Sequence, residues 1–202
     1  RKSRTKQYIP LFEGKSLFDI TIANNQAICD AILVVGNIDN YELSLQSLKE
    51  KGEANYQIVV EAMPKNTAAA IAFAALSVEA DDLLLVTPSD HIIENKEAYQ
   101  AAVQKAFEWA VEGNLVTFGM QPSKPETGYG YIQSNGDDAV AFHEKPSKEK
   151  AQDFLNQGNY LWNSGIFCFQ AKTYLEELNS FRPDILEACR QVMNVKNSDF
   201  LE

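Results

Sequence analysis

Asp90 stands where a buried strand should release the chain: the apolar run Leu83-Leu-Leu-Val86 leads into Thr87-Pro88-Ser89-Asp90-His91. In an open α/β sheet, ligands bind at the carboxyl ends of the strands, so a carboxylate there is placed to meet one. As a hard oxygen donor it suits Mg²⁺ bridging phosphates; as an Asp in a loop it equally suits the capping of a turn. Glu61 ends the run Tyr56-Gln-Ile-Val-Val60 in the same way. Lys65-Asn66-Thr67 then enters an Ala-rich helical stretch, whose N-terminus favours anions. The Glu61 carboxylate could accept from both the N1 and the exocyclic N2 donors of guanine, whereas adenine offers one donor group on that edge. The alternative is a solvated Glu beside a helix start.

Further along, Gly128 and Gly130 in Gly128-Tyr-Gly-Tyr-Ile132 either let backbone amides approach a ligand or permit a twisted hairpin. Glu144-Lys145-Pro146 could bind sugar hydroxyls and a phosphate, or form an exposed ion pair worth under about 1 kcal/mol. Asn163, in Trp162-Asn-Ser-Gly165, is an amide among core-like residues that needs partners, a ligand hydroxyl being one option. Trp162, Phe167 and Phe169 fit a core better than a stacking platform. Other machinery is missing. There is no G-x-G-x-x-G, no P-loop, no G-x-S-x-G and no zinc-spaced His pair, and His91 and His143 are the only imidazoles.

These residues need elements to hold them. Near-continuous apolar runs at Ala31–Gly36, Tyr56–Glu61, Asp82–Thr87 and Leu115–Gly119 read as strands buried on both faces. Between them lie helical stretches: one opened by a capping box at Ser16 and Asp19, one from Tyr41 to Lys51, one opening at Asn66 or Thr67, and one from Lys96 to Glu112. Four strand–helix alternations predict a mostly parallel sheet with helices on both faces. Glycine and aromatics then alternate at Gly128–Ile132, Ala139–His143 and Trp162–Phe169, which suggests antiparallel additions. Helices are expected at Ser147–Gln157, stopped by Gly158, and at Lys172–Asn179, with Pro183 beyond. The fold class is therefore α/β, and one unit covering 1–202 is the simplest organisation.

Composition bounds the partners. With 28 acidic and 18 basic residues among 202, the net charge is −10, which disfavours nucleic acid. The 45% hydrophobic content supplies a core and excludes intrinsic disorder. The longest apolar run, Ala68–Leu76, is about half of a bilayer span, so no membrane partner is expected and the chain reads as cytoplasmic. Cys29, Cys168 and Cys189 lack C-x-x-C spacing and read as reduced thiols.

Taken in order, Lys6-Gln-Tyr8, Glu61-Ala-Met-Pro-Lys-Asn-Thr-Ala68, Pro88-Ser-Asp-His91, Gly128-Tyr-Gly-Tyr-Ile132, Glu144-Lys-Pro146 and Trp162-Asn-Ser-Gly-Ile-Phe167 resemble a known family. It is that of the bacterial mannose-1-phosphate guanylyltransferases, in the long form often fused to a mannose-6-phosphate isomerase domain. The resemblance implies a Rossmann-like nucleotidyltransferase fold, GTP and mannose 1-phosphate as substrates, and GDP-mannose and pyrophosphate as products. It implies that Asp90 is a ligand of a catalytic Mg²⁺ and that Lys6 and Lys145 are catalytic, with Lys6 binding phosphate. By the same matching, Glu61, Asn66 and Thr67 fall on the nucleotide side, while Gly130, Glu144, Lys145 and Asn163 hold the sugar and its phosphate.

The departures are specific. Thr5 stands where the family has proline, the stretch from Ile132 to Glu144 is short, and neither the upstream G-x-G-T-R loop nor the downstream D-x-G-W segment is present. The expectation is a domain incomplete at both ends and inactive alone, with a homo-oligomer left open. Two other readings stay in play: a nucleotidyltransferase for another base or sugar 1-phosphate, and a non-catalytic nucleotide-sugar-binding module.

Overall fold

Local sequence signals set the first elements of the fold. In the computed structural model, which describes residues 5–50, 52, 55–61 and 67–198, helix α1 (Leu17–Asn25) starts with the expected capping box. The Asp19 amide donates to Ser16 Oγ at 3.1 Å, and the Ser16 amide donates to Asp19 Oδ2 at 2.8 Å. Two of the four orphan amides of the first turn are thus satisfied. Phe18 and Ile22 on α1 pack with Leu48 of α2 (Tyr41–Glu50), over Ile32, Val34, Tyr56 and Ile58. Those last four lie on β1 (Ile32–Asn37) and β2 (Tyr56–Glu61), which pair in parallel from Ile32↔Tyr56 to Asn37↔Glu61. The register delivers Glu61 to the carboxyl end of the pair.

The described residues form two compact units, one within 5–115 and 168–198, the other 116–167. The first also holds α3 (Thr67–Ala75), β3 (Leu83–Val86), α4 (Lys96–Val111), α6 (Ala171–Phe181) and α7 (Pro183–Ser198). Alanines let α3 approach its neighbours closely, so Ala72 is fully buried against Leu178, Leu186 and Cys189 of α6 and α7. Asn95 caps α4 through Ala98, and Tyr99 donates to Asn25 Oδ1 at 2.8 Å, tying α4 to α1.

The second unit is built around antiparallel pairs. Strand β5 (Tyr131–Asn135) pairs with β6 (Asp138–His143) and with β7 (Tyr160–Gln170), setting Tyr131 opposite both His143 and Trp162. Strand β4 (Val116–Met120) also lies on β7. Helix α5 (Lys148–Gln157), capped by Ser147 and ended by left-handed Gly158, covers this sheet. Ala151 and Phe154 of α5 close over Tyr131 and Tyr160, with the Phe154 and Tyr160 rings stacked 4.0 Å apart.

The β1–β2 pair is parallel and the β5–β6 and β5–β7 pairs are antiparallel, as the mixed α/β expectation requires, with β3 and β4 both pairing with β7. Two details differ from expectation. The apolar runs are not enclosed on both faces: every residue of β1 and β3 is half-buried. Pro183 lies beyond α6, as expected, but it also opens α7, a further helix not expected from the sequence, where its missing N–H would have had no helical partner. No described helix is long and apolar enough to cross a membrane.

Packing around β4 is tight at Gly119, where an added Cβ would lie 2.5 Å from Leu161 Cδ1 and 2.7 Å from its Cβ. Gly36 on β1 has nothing within 4 Å of the same position. Urea unfolding of the two alanine variants should therefore diverge, with Gly119→Ala destabilising by about 1–3 kcal/mol and Gly36→Ala by less than about 0.5 kcal/mol. Equal effects would show that the close approach at Leu161 relaxes freely.

Candidate active site

In the first unit the structure brings together two residues singled out from sequence. Lys6 opens a short 3-10 turn, Lys6–Tyr8, and its Nζ lies 2.7 Å from Asp90 Oδ2. The turn is anchored by Tyr8, whose ring sits 4.9 Å from that of Phe18 and whose hydroxyl shares a 2.7 Å hydrogen bond with Ser44 Oγ. Thr5 Oγ1 donates to Asn40 Oδ1 at 3.1 Å, fixing the residue before it. Asp90 follows β3, as expected of a strand-exit carboxylate, and His91 Nε2 lies 3.9 Å from its other oxygen. The Asp90 carboxylate raises the Lys6 pKa, chiefly by hydrogen bonding, so the ammonium stays charged throughout the physiological range.

Glu61 is only 8% exposed, and its buried Oε1 has no hydrogen-bond partner among the described residues. Desolvation raises its pKa above the usual carboxylate value. Unlike a solvated Glu beside a helix start, it is a buried acceptor held without a donor, and such groups call for an explanation. Thr67 is the exposed first residue of α3. Asn66 lies outside the described residues.

The second unit gathers four other residues. An added Cβ on Gly130 would lie 2.9 Å from Glu144 Oε2 and 3.5 Å from Asn163 Cβ, so the absent side chain leaves room where these two residues converge. The Asn163 amide donates to the Gly130 carbonyl at 2.8 Å across β5 and β7. Asn163 Oδ1 accepts from the Gly165 amide at 3.0 Å, which leaves its Nδ2 without a hydrogen bond among the described residues. Lys145 Nζ lies 3.6 Å from Glu144 Oε1 with both side chains mostly exposed, a loose pair whose groups can turn to a ligand at little cost. Lys145 also has φ of +42°, rare for a residue with a side chain, and the strain aims it differently from an extended neighbour of proline.

The position of Gly128 corrects one sequence reading and reveals a residue that reading missed. Its amide is not open to a ligand, because it donates to Glu126 Oε1 at 3.1 Å. Glu126 also pairs with Lys124 at 3.0 Å, and its carbonyl accepts from the Tyr131 hydroxyl at 2.9 Å. The Gly128 amide first, then Lys124, hold its carboxyl below the usual range. Glu126 thus organises the loop delivering Gly130, and for that reason β5 begins at Tyr131 rather than Gly128. Its only signal in sequence was a Glu two residues before a glycine. Trp162 packs partly against the α5 core, with the Tyr129 ring edge-on at 5.3 Å, while Phe169 is buried.

The nucleotidyl transferase family matches residues 2–201. The chain belongs to that family. Among curated relatives, a mannose-1-phosphate guanylyltransferase of Klebsiella pneumoniae is 41% identical over 216 residues, covering 100% of this chain and 46% of its own length. The xanthan biosynthesis protein XanB of Xanthomonas campestris pv. campestris is 43% identical, covering 95% of this chain and 43% of its own. This nucleotidyl transferase therefore spans less than half the length of those relatives. Among solved structures, one described as mannose-6-phosphate isomerase from Helicobacter pylori superposes with a TM-score of 0.87 at 44% identity, over 92% of this chain and 73% of that one. The Rossmann-like nucleotidyltransferase fold that the resemblance implies is the fold found.

In this nucleotidyl transferase, the group nearest a Cβ on Gly130 is the tip of a flexible, exposed side chain rather than backbone. Gly130→Ala should therefore leave the melting temperature within about 2 °C of the parent while displacing the Glu144 carboxylate. A larger drop in thermal melting would mean that the Glu144 position is itself part of the packing.

Proposed function

We propose that the protein transfers GMP from GTP to mannose 1-phosphate, giving GDP-mannose and pyrophosphate. The observation that carries this reading is the convergence of Gly130, Glu144 and Asn163, with Lys145 alongside, in a chain 41% identical over its whole length to a mannose-1-phosphate guanylyltransferase. A sugar phosphate needs hydroxyl acceptors, hydroxyl donors and a cation. Glu144, the Asn163 amide and Lys145 are one of each. The isomerase description of the Helicobacter pylori relative supports placing the transferase in a bifunctional protein that also isomerises mannose 6-phosphate.

In the proposed mechanism, the phosphate oxygen of mannose 1-phosphate attacks the α-phosphorus of GTP. The new O–P bond forms as the bond to the bridging oxygen breaks, and pyrophosphate leaves with the electron pair. A phosphate dianion is already a nucleophile, so the protein has to position and neutralise rather than remove a proton. Lys6 neutralises triphosphate charge, and Lys145 holds the sugar phosphate. Glu61 is the base selector, because its unpartnered buried oxygen suits the paired N1 and N2 donors of guanine. Thr67, the first residue of α3, belongs to the same nucleotide side, as the family resemblance also implies for Asn66.

Magnesium is the cofactor of this reading. Among the described residues no three His, Cys, Asp or Glu side chains converge as a closed metal site. A lone, partly exposed carboxylate fits Mg²⁺ nonetheless, since that ion takes one or two carboxylates and completes its shell with water and substrate phosphate. Asp90 would hold it, and when bound it would neutralise charge on the phosphate oxygens.

Steady-state assay of pyrophosphate release tests the assignment. Asn163→Ala and Glu144→Gln should each raise KM for mannose 1-phosphate by about 5- to 100-fold, the equivalent of about 1–3 kcal/mol, with KM for GTP nearly unchanged. Weakened GTP binding alone would mean that the second unit serves the nucleotide. Selectivity for GTP over ATP should disappear in Glu61→Gln, whose amide adds a donor facing a donor. In the parent protein, GTP affinity should fall as the pH is lowered, beginning above the usual carboxylate range, because protonated Glu61 can no longer accept twice. A flat affinity profile would remove Glu61 from base recognition.

A further inference from the structure

We infer that Lys6 and a divalent cation exchange at Asp90: the ammonium guards the carboxylate until a triphosphate draws it away, so that metal and nucleotide enter together. This rests on the reading of Asp90 as the metal-binding carboxylate and goes beyond it in assigning Lys6 a role before substrate arrives. Three observations carry it. Lys6 Nζ sits 2.7 Å from Asp90 Oδ2, the distance of a strong charge-assisted hydrogen bond, on an oxygen that a cation would need. The turn bearing Lys6 is anchored by Tyr8 through Ser44 and Phe18, so the backbone stays in place while the long side chain is free to swing. The Lys6 side chain is 76% exposed and that of Asp90 32%. A pair this accessible is held weakly enough to be broken by a ligand.

The physical consequence is competition followed by coupling. A cation approaching the free protein meets an oxygen already neutralised, and it must displace or sit beside a positive charge. Phosphate oxygens offer Lys6 better partners than one carboxylate oxygen does. Once the ammonium turns to them, Asp90 is released as an anion next to the phosphates that complete the metal shell. Nucleotide thereby raises the affinity for metal, and by linkage metal raises the affinity for nucleotide equally.

Mn²⁺ binding to the nucleotide-free protein, followed by electron paramagnetic resonance of the free ion, tests the exchange without recourse to turnover. Lys6→Met should bind Mn²⁺ about fivefold or more tightly than the parent, as expected when a competing ion pair and a nearby like charge are removed. Lys6→Arg keeps both charge and pairing and should stay within about twofold of the parent. Asp90→Asn should abolish the binding in the parent and Lys6→Met backgrounds alike. If Asp90→Asn abolishes binding while Lys6→Met leaves it unchanged or weaker, Asp90 stays a ligand and the exchange is wrong. Should Asp90→Asn leave Mn²⁺ binding intact, the metal reading itself fails and the exchange with it. Binding too weak to detect in both the parent and Lys6→Met would also overturn the exchange. Circular dichroism on each variant guards against misfolding, which an exposed lysine makes a minor concern.

Discussion

The contact between Lys6 and Asp90 is the interaction that the first unit is arranged to make, because it joins residues far apart in sequence that have no intrinsic tendency to meet. Each side rests on its own support. The Lys6 turn is held by Tyr8 on Phe18 and Ser44, so it depends on α1 and α2 being packed together. That packing depends on the Phe18, Ile22 and Leu48 cluster and on Asp19, which caps α1 and also accepts from Ser47 of α2. Asp90 depends on β3, which sets the strand exit. Losing a core side chain under α1 would therefore be felt at the charge pair, through geometry rather than through electrostatics.

Glu61 poses the opposite problem, a carboxylate with too few partners. Its position follows from the register of β2 on β1, which no local choice at residue 61 can alter. Burial raises its pKa, and Cys189 of α7 is raised in turn, by its own burial first and by the Glu61 charge second. Keeping such a group costs stability unless a ligand supplies the missing donors. That conflict between folding and binding is typical of a functional position.

In the second unit the arrangement is set by strand pairing. Because Tyr131 lies opposite both His143 and Trp162, the next residues along, Glu144 on one side and Asn163 on the other, flank Gly130. One residue of slip in either pair would turn these side chains to the wrong face. The aromatic core of Tyr131, Phe154 and Tyr160 penalises that slip, so the packing under α5 keeps the polar cluster in register.

How much of this was legible from the chain alone varied with the range of the interaction that decides it. Caps and breaks such as Ser16, Asn95, Ser147 and Gly158 act within a few residues, so sequence read most element starts and stops to within a residue or two. It placed Pro183 beyond α6 but missed α7, because a proline that follows one helix can also open the next, and it is the packing of α7 on α3 that holds this one. The identity of the polar residues at the strand exits, and hence the class of chemistry, was likewise open to sequence. Sequence could not decide which of them meet. Lys6 with Asp90, Gly130 with Glu144 and Asn163, and the withdrawal of the Gly128 amide by Glu126 all depend on strand register and on loops settled by packing. The difference is physical: a cap or a turn is satisfied by its own neighbours, whereas a charge pair or a vacant acceptor is defined by groups that only the folded chain brings within reach.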